Sequence, residues 1–360
     1  MSKRTIILTG GGTAGHVSLN QALIPEITGM EYDVEYIGSK NGIENELIVD
    51  SYPDIKYHAI SSGKLRRYFS MKNFTDPFRV VAGLIQAMII MRKTKPAAIF
   101  SKGGFVSVPV AMAGKLMGIP VIIHESDVTP GLANKIAMPF ADHIFTVFKE
   151  TMQHVPKVKS TCTGSVIRSE LMDGSAAKGR EICHFDNDLP VLMVMGGSQG
   201  SAVINTAIRT NLPHLLKTFN VIHLCGKGNI DESLEGMEQY CQFEYVTHEL
   251  SHLLHMTDFV VSRAGSNSIF EFLALKKPML LIPLSRQKSR GDQILNAELF
   301  RKNGFALVLE EEEASPEQFL KAMEQLKADE EVLIENMNGA EPPKTAYEMA
   351  KLVVAHTKKR

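Results

Sequence analysis

Cysteine is scarce in this chain of 360 residues: Cys162, Cys183, Cys225 and Cys241 lie far apart, with neither a CxxC pair nor a histidine at metal-ligand spacing. That excludes a disulfide framework and a sequence-local zinc site, and leaves reduced, packed thiols as the expectation. The opening "MSKRTIIL" lacks the long apolar stretch and small-residue cleavage site of an export signal, so no export is expected. Low-complexity tracts are absent, and 44% apolar with 22% charged residues is an ordinary globular composition. The net charge of −1 leaves no overall basic field, so no nucleic-acid partner is expected. The length exceeds what one core usually serves and points to two domains.

What charge there is falls unevenly. Residues 1–163 carry 18 basic against 13 acidic side chains, and residues 164–360 carry 21 against 27. Within residues 56–95, Lys56, Lys64, Arg66, Arg67, Lys72, Arg79, Arg92, Lys93 and Lys95 stand against the single acid Asp76. Strand-like and helix-like segments alternate throughout, the pattern of parallel sheets with crossover helices. "TIILTG", "VEYIGS", "AAIFSKG", "VIIHES" and "HIFTVF" read as strands of a first half; "VLMVMGG", "FNVIHLCG", "FEYV", "FVVSRAG" and "MLLIPL" read as strands of a second. Each half starts with a strand running into a glycine turn, "TGGGTAGH" and "MGGSQGS". The expected architecture is α/β, two similar doubly wound domains that bind ligands at the carboxyl ends of their strands.

Gly10, Gly12 and Gly15 spell the dinucleotide fingerprint, yet the second strand ends in Gly38, Ser39 and Lys40, without the acid that would hold a ribose diol. The nicotinamide reading therefore fails. A glycine turn opening a helix still suits an anion, and His16 inside it suggests a reacting group. "FSKGGFVSVP" is a second glycine loop, and "HESDVTPGLANK" gathers His124, Glu125 and Asp127 before a helix. "SRAGSNSIFEFLAL" leads from a strand through Gly265 to Ser266, Asn267 and Ser268 at a helix start, with Glu271 a turn further on. That suits a nucleotide, with diphosphate at the helix N-terminus and ribose on the carboxylate, although Glu271 would equally serve as a surface acid. Asp292, Gln293 and Asn296 in "RGDQILNA" suit sugar hydroxyls or ordinary capping.

In this order, "GGGTAGHV", "KGGFVSVP", "HESDVTPGLANK", "GGSQGS", "SRAGSNSIFEFL" and "DQILNA" resemble the successive signatures of the MurG-type enzymes, the UDP-N-acetylglucosamine:undecaprenyl-diphospho-muramoylpentapeptide N-acetylglucosaminyltransferases of peptidoglycan synthesis. The likeness spans residues 4 to 300, and "SSGKLRRY" with "HESDVTPGLANK" is most similar to the Firmicute branch. The resemblance implies a GT-B fold, two Rossmann-like domains facing across a cleft. Residues 1–163 would take the acceptor and meet the membrane, 164–340 would bind the UDP-sugar donor, and 341–360 would form a helix packing back on the first domain. It implies inverting transfer of N-acetylglucosamine to the 4-hydroxyl of lipid I, giving lipid II, with no cofactor. Donor-contacting positions carry over to Arg168, Ser198, the backbone of Val246, Ser266 to Ser268, Glu271, Asp292, Gln293 and Asn296. Thr13, Ala14, Gly15 and His16 match the loop placed at the acceptor diphosphate. The chain departs from the family pattern at Ala14, usually glycine, at Leu19, often proline, at Asp127, often asparagine, and at Asp292, often glutamine.

Such a transfer needs a base, stabilisation of leaving UDP and exclusion of water. His16 is the first choice as base because imidazole titrates near neutrality; Glu125 and Asp127 are rivals, and His16 could instead bind diphosphate. Asp186, Asn187 and Asp188 spell a D-x-D, but they precede a strand instead of following one, so no metal is inferred. A diacylglycerol glycosyltransferase or a UDP-N-acetylglucosamine 2-epimerase would share this architecture, and a non-catalytic scaffold would not need Glu271 or Ser198. In residues 64 to 78, Lys64, Arg66, Arg67 and Lys72 interleave with Leu65, Tyr68, Phe69, Met71, Phe74 and Phe78, the mix expected of a surface on anionic lipid. The following "FRVVAGLIQAMIIM" is too short to span a bilayer, and Arg79, Gln86 and Lys93 at sevenfold spacing suggest a helix packed on most sides. The location expected is the cytoplasmic face of the cell membrane, with proteins of cell-wall synthesis and division as further partners.

Overall fold

The computed structural model describes residues 3–63, 72–197, 199–287 and 289–358, and for residues 72–75 the backbone alone. The chain divides into two compact units, Met1–Arg168 with Lys344–Arg360, and Ser169–Pro343.

In the first unit the described strands are β1 (Arg4–Thr9), β2 (Tyr32–Ser39), β3 (Lys56–Ile60), β4 (Ala98–Ser101), β5 (Val121–Glu125), β6 (His143–Thr146) and β7 (Ser160–Cys162), joined by α1 (Gly15–Gly29), α2 (Ile43–Ser51), α3 (Lys72–Thr94), α4 (Ser107–Leu116) and α5 (Leu132–Ala137). The strands are parallel, in the order β3-β2-β1-β4-β5-β6-β7. Central strands buried on both faces read as continuous apolar runs, which is why "TIIL", "AAIF" and "VIIH" carry so strong a signal. The pleat sends Ile7, Ile99, Val121 and Ile123 to one core, and Ile6, Leu8, Phe100 and Ile122 to the other.

In the second unit, α6 (Ala176–Cys183) precedes β9 (Val191–Met195), α7 (Ala202–Leu215), β10 (Asn220–Leu224), β11 (Tyr240–Phe243), α8 (Leu250–Met256), β12 (Phe259–Ser262), α9 (Ser266–Ala274), β13 (Met279–Leu281), α10 (Asp292–Lys302), β14 (Ala306–Val308), α11 (Pro316–Ala328) and α12 (Glu330–Asn338). Its sheet runs β11-β10-β9-β12-β13-β14, again parallel. Both sheets therefore reverse direction beside their first strand, the place where doubly wound folds bind ligands.

After Pro343 the chain re-enters the first unit. A two-residue strand β15 (Lys344–Thr345) pairs with β8 (Val166–Ile167), and α13 (Ala346–Ala355) starts on a capping box between Thr345 and Glu348. Met349, Ala350 and Val353 are fully buried, in the same core as Ile6, Leu8 and Phe100.

Besides the two-residue β8 and β15, three described strands exceed the sequence reading. β3 is a half-exposed edge with lysine and histidine, and β7 and β14 are only three residues long. The strand expected at "FEYV" ends at its first residue, Phe243. The helix α3 is also more one-sided than expected. It buries Gly83, Ala87 and Met91 but exposes Phe78, Val81, Ile85 and Ile89, at 78%, 54%, 54% and 51%. The polar stripe of Arg79, Gln86 and Lys93 therefore marks one edge of an open face instead of the helix's whole solvent side.

Candidate active site

The loops after β1 and β4 lie side by side in the first unit. Gly11 N donates to Gly103 O at 3.2 Å. Gly104, at φ +85°, approaches so closely that a Cβ would stand 2.2 Å from Gly11 O, so the second glycine loop is needed for backbone packing. Below them lies a residue no motif announced. Glu44 of α2 is 1% exposed; its carboxylate accepts Gly12 N at 3.0 Å, Ser39 N at 3.0 Å and Ser39 Oγ at 2.6 Å. It fixes the turn that leads to exposed Thr13 and half-buried Ala14 and Gly15, where α1 begins without a side-chain cap.

His16, half-buried in the first turn of α1, places Nδ1 2.9 Å from Gly11 O. A carbonyl only accepts, so Nδ1 carries the hydrogen and Nε2 of the neutral ring keeps a bare lone pair. Burial holds this imidazole below its ordinary value; the bond to Gly11 opposes that, Lys102 adds to it, and Asp127 and Glu44 oppose it. At the end of β5, Glu125 is 3% exposed and accepts Asp127 N at 2.9 Å, Gly131 N at 3.0 Å and Asn134 Nδ2 at 2.9 Å. Its carboxylate thereby shapes the loop that carries half-buried Asp127. Burial, and then the charge of Asp127, raise the Glu125 pKa, while its hydrogen bonds lower it. Lys102, inside the second glycine loop, is 2% exposed and lies 3.1 Å from His124 Nδ1 through Nζ. Burial pushes Lys102 down to about 8 against the charges of Glu125 and Asp127.

The second unit repeats the device. Gly200, at φ +74°, lies where a Cβ would stand 2.1 Å from Cys225 O, and Ser201 caps α7. Ser198 lies outside the described residues. Gly265 leads into α9 with no side-chain cap; Ser266 is buried, and Asn267, Ser268 and Glu271 are half-buried along the first turns. Here too the organising residues went unannounced. Half-buried Arg263 reaches Glu311 at 2.6 Å, Ser201 Oγ at 2.7 Å, and the carbonyls of Ile282 and Pro283 at 3.0 and 3.2 Å. Glu311 in turn accepts Ser285 N at 3.1 Å, so this ion pair ties the carboxyl ends of β9, β12 and β13 together. Gln293 accepts Leu284 N at 2.9 Å, and fully buried Asn296 donates to Ala264 O at 3.2 Å, so both hold loops. Asp292 opens α10, and buried Val246 follows β11.

The residues singled out in the sequence thus form two sets, each at the carboxyl end of one sheet. Thr13, Ala14, Gly15, His16, Glu125 and Asp127 belong to the first, and Val246, Ser266, Asn267, Ser268, Glu271, Asp292, Gln293 and Asn296 to the second. Arg168 ends the first unit at the link between them. Asn187 of the D-x-D turn instead bonds Leu189 N and the Asn220 amide ahead of β9. Among the described residues, no group of three or more His, Cys, Asp or Glu side chains is placed to hold a metal ion.

Residues 6–146 match the glycosyltransferase family 28 N-terminal domain, and residues 191–353 its C-terminal domain. The chain belongs to glycosyltransferase family 28. Within it, the chain is of the MurG type. It is 54% identical over 338 residues to the UDP-N-acetylglucosamine–N-acetylmuramyl-(pentapeptide) pyrophosphoryl-undecaprenol N-acetylglucosamine transferase of Clostridium tetani, covering 94% of each chain. It is 56% identical to the same-named protein of Geobacillus thermodenitrificans, covering 93% of this chain and 94% of the other. In fold it is similar to Acinetobacter baumannii MurG, with a TM-score of 0.74, 22% identity, and coverage of 98% and 99%. A UDP-GlcNAc 2-epimerase of Neisseria meningitidis shares the fold at a TM-score of 0.67 and 13% identity, with coverage of 98% and 99%. The family 28 sequence models thus cover most of both Rossmann-like units, including both glycine loops of the first and the start of α9.

Proposed function

We propose that this protein transfers N-acetylglucosamine from its UDP donor to the 4-hydroxyl of the muramoyl-pentapeptide of lipid I, yielding lipid II and UDP with inversion at the anomeric carbon. The observation that carries this reading is identity above 50%, over nearly the whole of both chains, to transferases named for that donor and acceptor. The site supports it chemically. His16 Nε2, bare because Gly11 holds Nδ1–H, takes the proton of the attacking hydroxyl. The amides at the start of α9 receive charge on the leaving diphosphate, and Glu271 holds the ribose diol. Thr13, Ala14 and Gly15 meet the acceptor diphosphate, with their turn fixed by Glu44. Asp127 lines the same centre on the loop Glu125 shapes. Gln293 and Asn296 act on the donor through the loops they hold, Ser198, Val246 and Asp292 border the nucleotide sugar, and Arg168 assists departure of UDP. No metal enters this scheme.

The acceptor's polyprenyl chain stays in the bilayer, so the enzyme works as a peripheral protein at the cytoplasmic face. No described helix is long and apolar enough to cross a membrane. The open face of α3, with Phe78, Val81, Ile85 and Ile89 beside exposed Arg79, Arg92 and Lys93, supports docking on anionic lipid. The basic segment 64–71 lies outside the described residues. Incubation with labelled UDP-N-acetylglucosamine and a short-chain lipid I analogue, with and without EDTA, tests the assignment by product mass. A disaccharide product formed equally in EDTA is expected; a nucleotide sugar altered without acceptor would point to epimerase chemistry instead.

A further inference from the structure

The transfer scheme gives no role to Lys102, the lysine that opens the loop "KGGFVSVP" and is 2% exposed at the heart of the acceptor-side centre. It follows the central strand β4, its N–H bonded to Thr9 O at 2.9 Å. A Cβ on Gly10 would lie 3.2 Å from Lys102 Cβ, while the His16 ring hooks onto Gly11. Gly10 therefore lies between Lys102 and the backbone of His16, whose ring is held on the next residue. On its other side Lys102 Nζ meets His124 Nδ1 at 3.1 Å. The ionisable groups around it are His16 from the first turn of α1, His124 and Glu125 from β5, and Asp127 from the loop that follows, with Glu44 of α2 beyond His16.

We propose that Lys102 is the positioning residue of this centre, an internal cation that fixes the hydrogen of His124 and the charge of His16. An ammonium has only donors, so His124 Nδ1 must accept and the ring hydrogen must sit on Nε2. A second positive charge beside a buried ammonium is disfavoured, so His16 stays neutral and able to take a proton. The carboxylates of Glu125 and Asp127 keep the lysine itself charged despite its burial. The centre thus carries its positive charge on a residue that does not react, and leaves the reacting imidazole free.

The proposal rests on reading His16 as the base, and the experiment separates the two. Full-length protein labelled with 15N in histidine, as wild type, Lys102→Met and Lys102→Arg, is titrated by NMR, with His16→Gln to assign the His16 ring. The pH profile of kcat/KM for a short-chain lipid I analogue is measured alongside. Wild-type His124 should carry its hydrogen on Nε2, and its Nδ1 resonance should step as Lys102 loses its proton near pH 8. In Lys102→Met the His16 midpoint should rise by about half a unit to one unit, on the scale of one nearby charge, and the acid limb of kcat/KM should follow it. Lys102→Arg should leave both close to wild type. A His16 midpoint unmoved by Lys102→Met overturns the proposal, as does a wild-type His124 with hydrogen on Nδ1. If Lys102→Met fails to fold, the wild-type step near pH 8 decides, and its absence overturns the proposal. A midpoint that moves without the acid limb leaves Lys102 in place and removes His16 as base.

Discussion

At the start of α1 the chain turns back on Gly11, whose carbonyl takes the hydrogen of His16 Nδ1 and leaves Nε2 as an acceptor. His16→Ala should therefore cut kcat by about a hundredfold or more with donor binding intact, the usual scale of general-base catalysis. A loss confined to acceptor KM would make His16 a diphosphate ligand. Because burial lowers this imidazole, the active neutral form should persist below pH 6.5, and kcat/KM should fall only as pH drops through the lowered value. Glu271→Gln should raise donor KM and lower kcat/KM by roughly tenfold or more, the worth of about 1.5–3 kcal/mol for a hydrogen bond to a charged group. An unaltered donor KM would take Glu271 out of the site. His16 and Glu271 could be singled out in the sequence because each lies in the first turns of a helix that a glycine-marked turn introduces. Glu44, Arg263 and Glu311 were not, because they act on partners far along the chain, and burial by tertiary packing leaves no local pattern.

Two elements carry predictions of their own. The exposed side of α3 repeats at intervals of three and four residues, so one face is apolar and open. Ile85→Ser with Ile89→Ser should reduce binding to anionic vesicles severalfold in cosedimentation, while turnover of a soluble acceptor stays within about twofold. Equal vesicle binding would place the membrane surface elsewhere. The sequence showed the apolar content of this helix but not its open side, because which face a neighbour covers is a property of the packed molecule. In the second unit, β10 carries fully buried His223, which meets Tyr240 Oη at 2.9 Å and Asn205 Oδ1 at 3.0 Å. Burial, and then Arg209, push its pKa down to about 3. Unfolded histidine binds a proton near pH 6.5 that the folded ring refuses, so stability should fall as pH drops below 6.5 towards 3, by about 1.4 kcal/mol per unit at most. His223→Gln should lower stability at pH 7 but flatten the slope between about pH 6.5 and 5, above the carboxylate range. Parallel slopes in urea titrations would refute this.

For the molecule as a whole, the decisive feature of the chain trace is its return to the first unit. Met349 has no exposed surface and lies in the core with Ile6, Leu8 and Phe100. Met349→Ala should cost about 2–5 kcal/mol, lost as amide protection in α1, β1 and β4 but not in β9 or β12. Uniform loss across both sheets would mean that the two units unfold as one. The doubly wound architecture was plain from repeated strand-to-glycine turns, since central parallel strands are apolar on both faces. The two-residue pairing of β8 with β15 had no such signature.

Residues 169–343 form an uninterrupted stretch, while the first unit needs residues 344–355 to close its core. During synthesis the second unit can thus fold as soon as it has left the ribosome, while the first, though made earlier, still shows the apolar groove that α13 will fill. The unit that begins the chain is thus completed after the one that follows it. A chain that stops before residue 344 therefore leaves uncovered the apolar surface around Ile6, Leu8 and Phe100 on which Met349, Ala350 and Val353 pack.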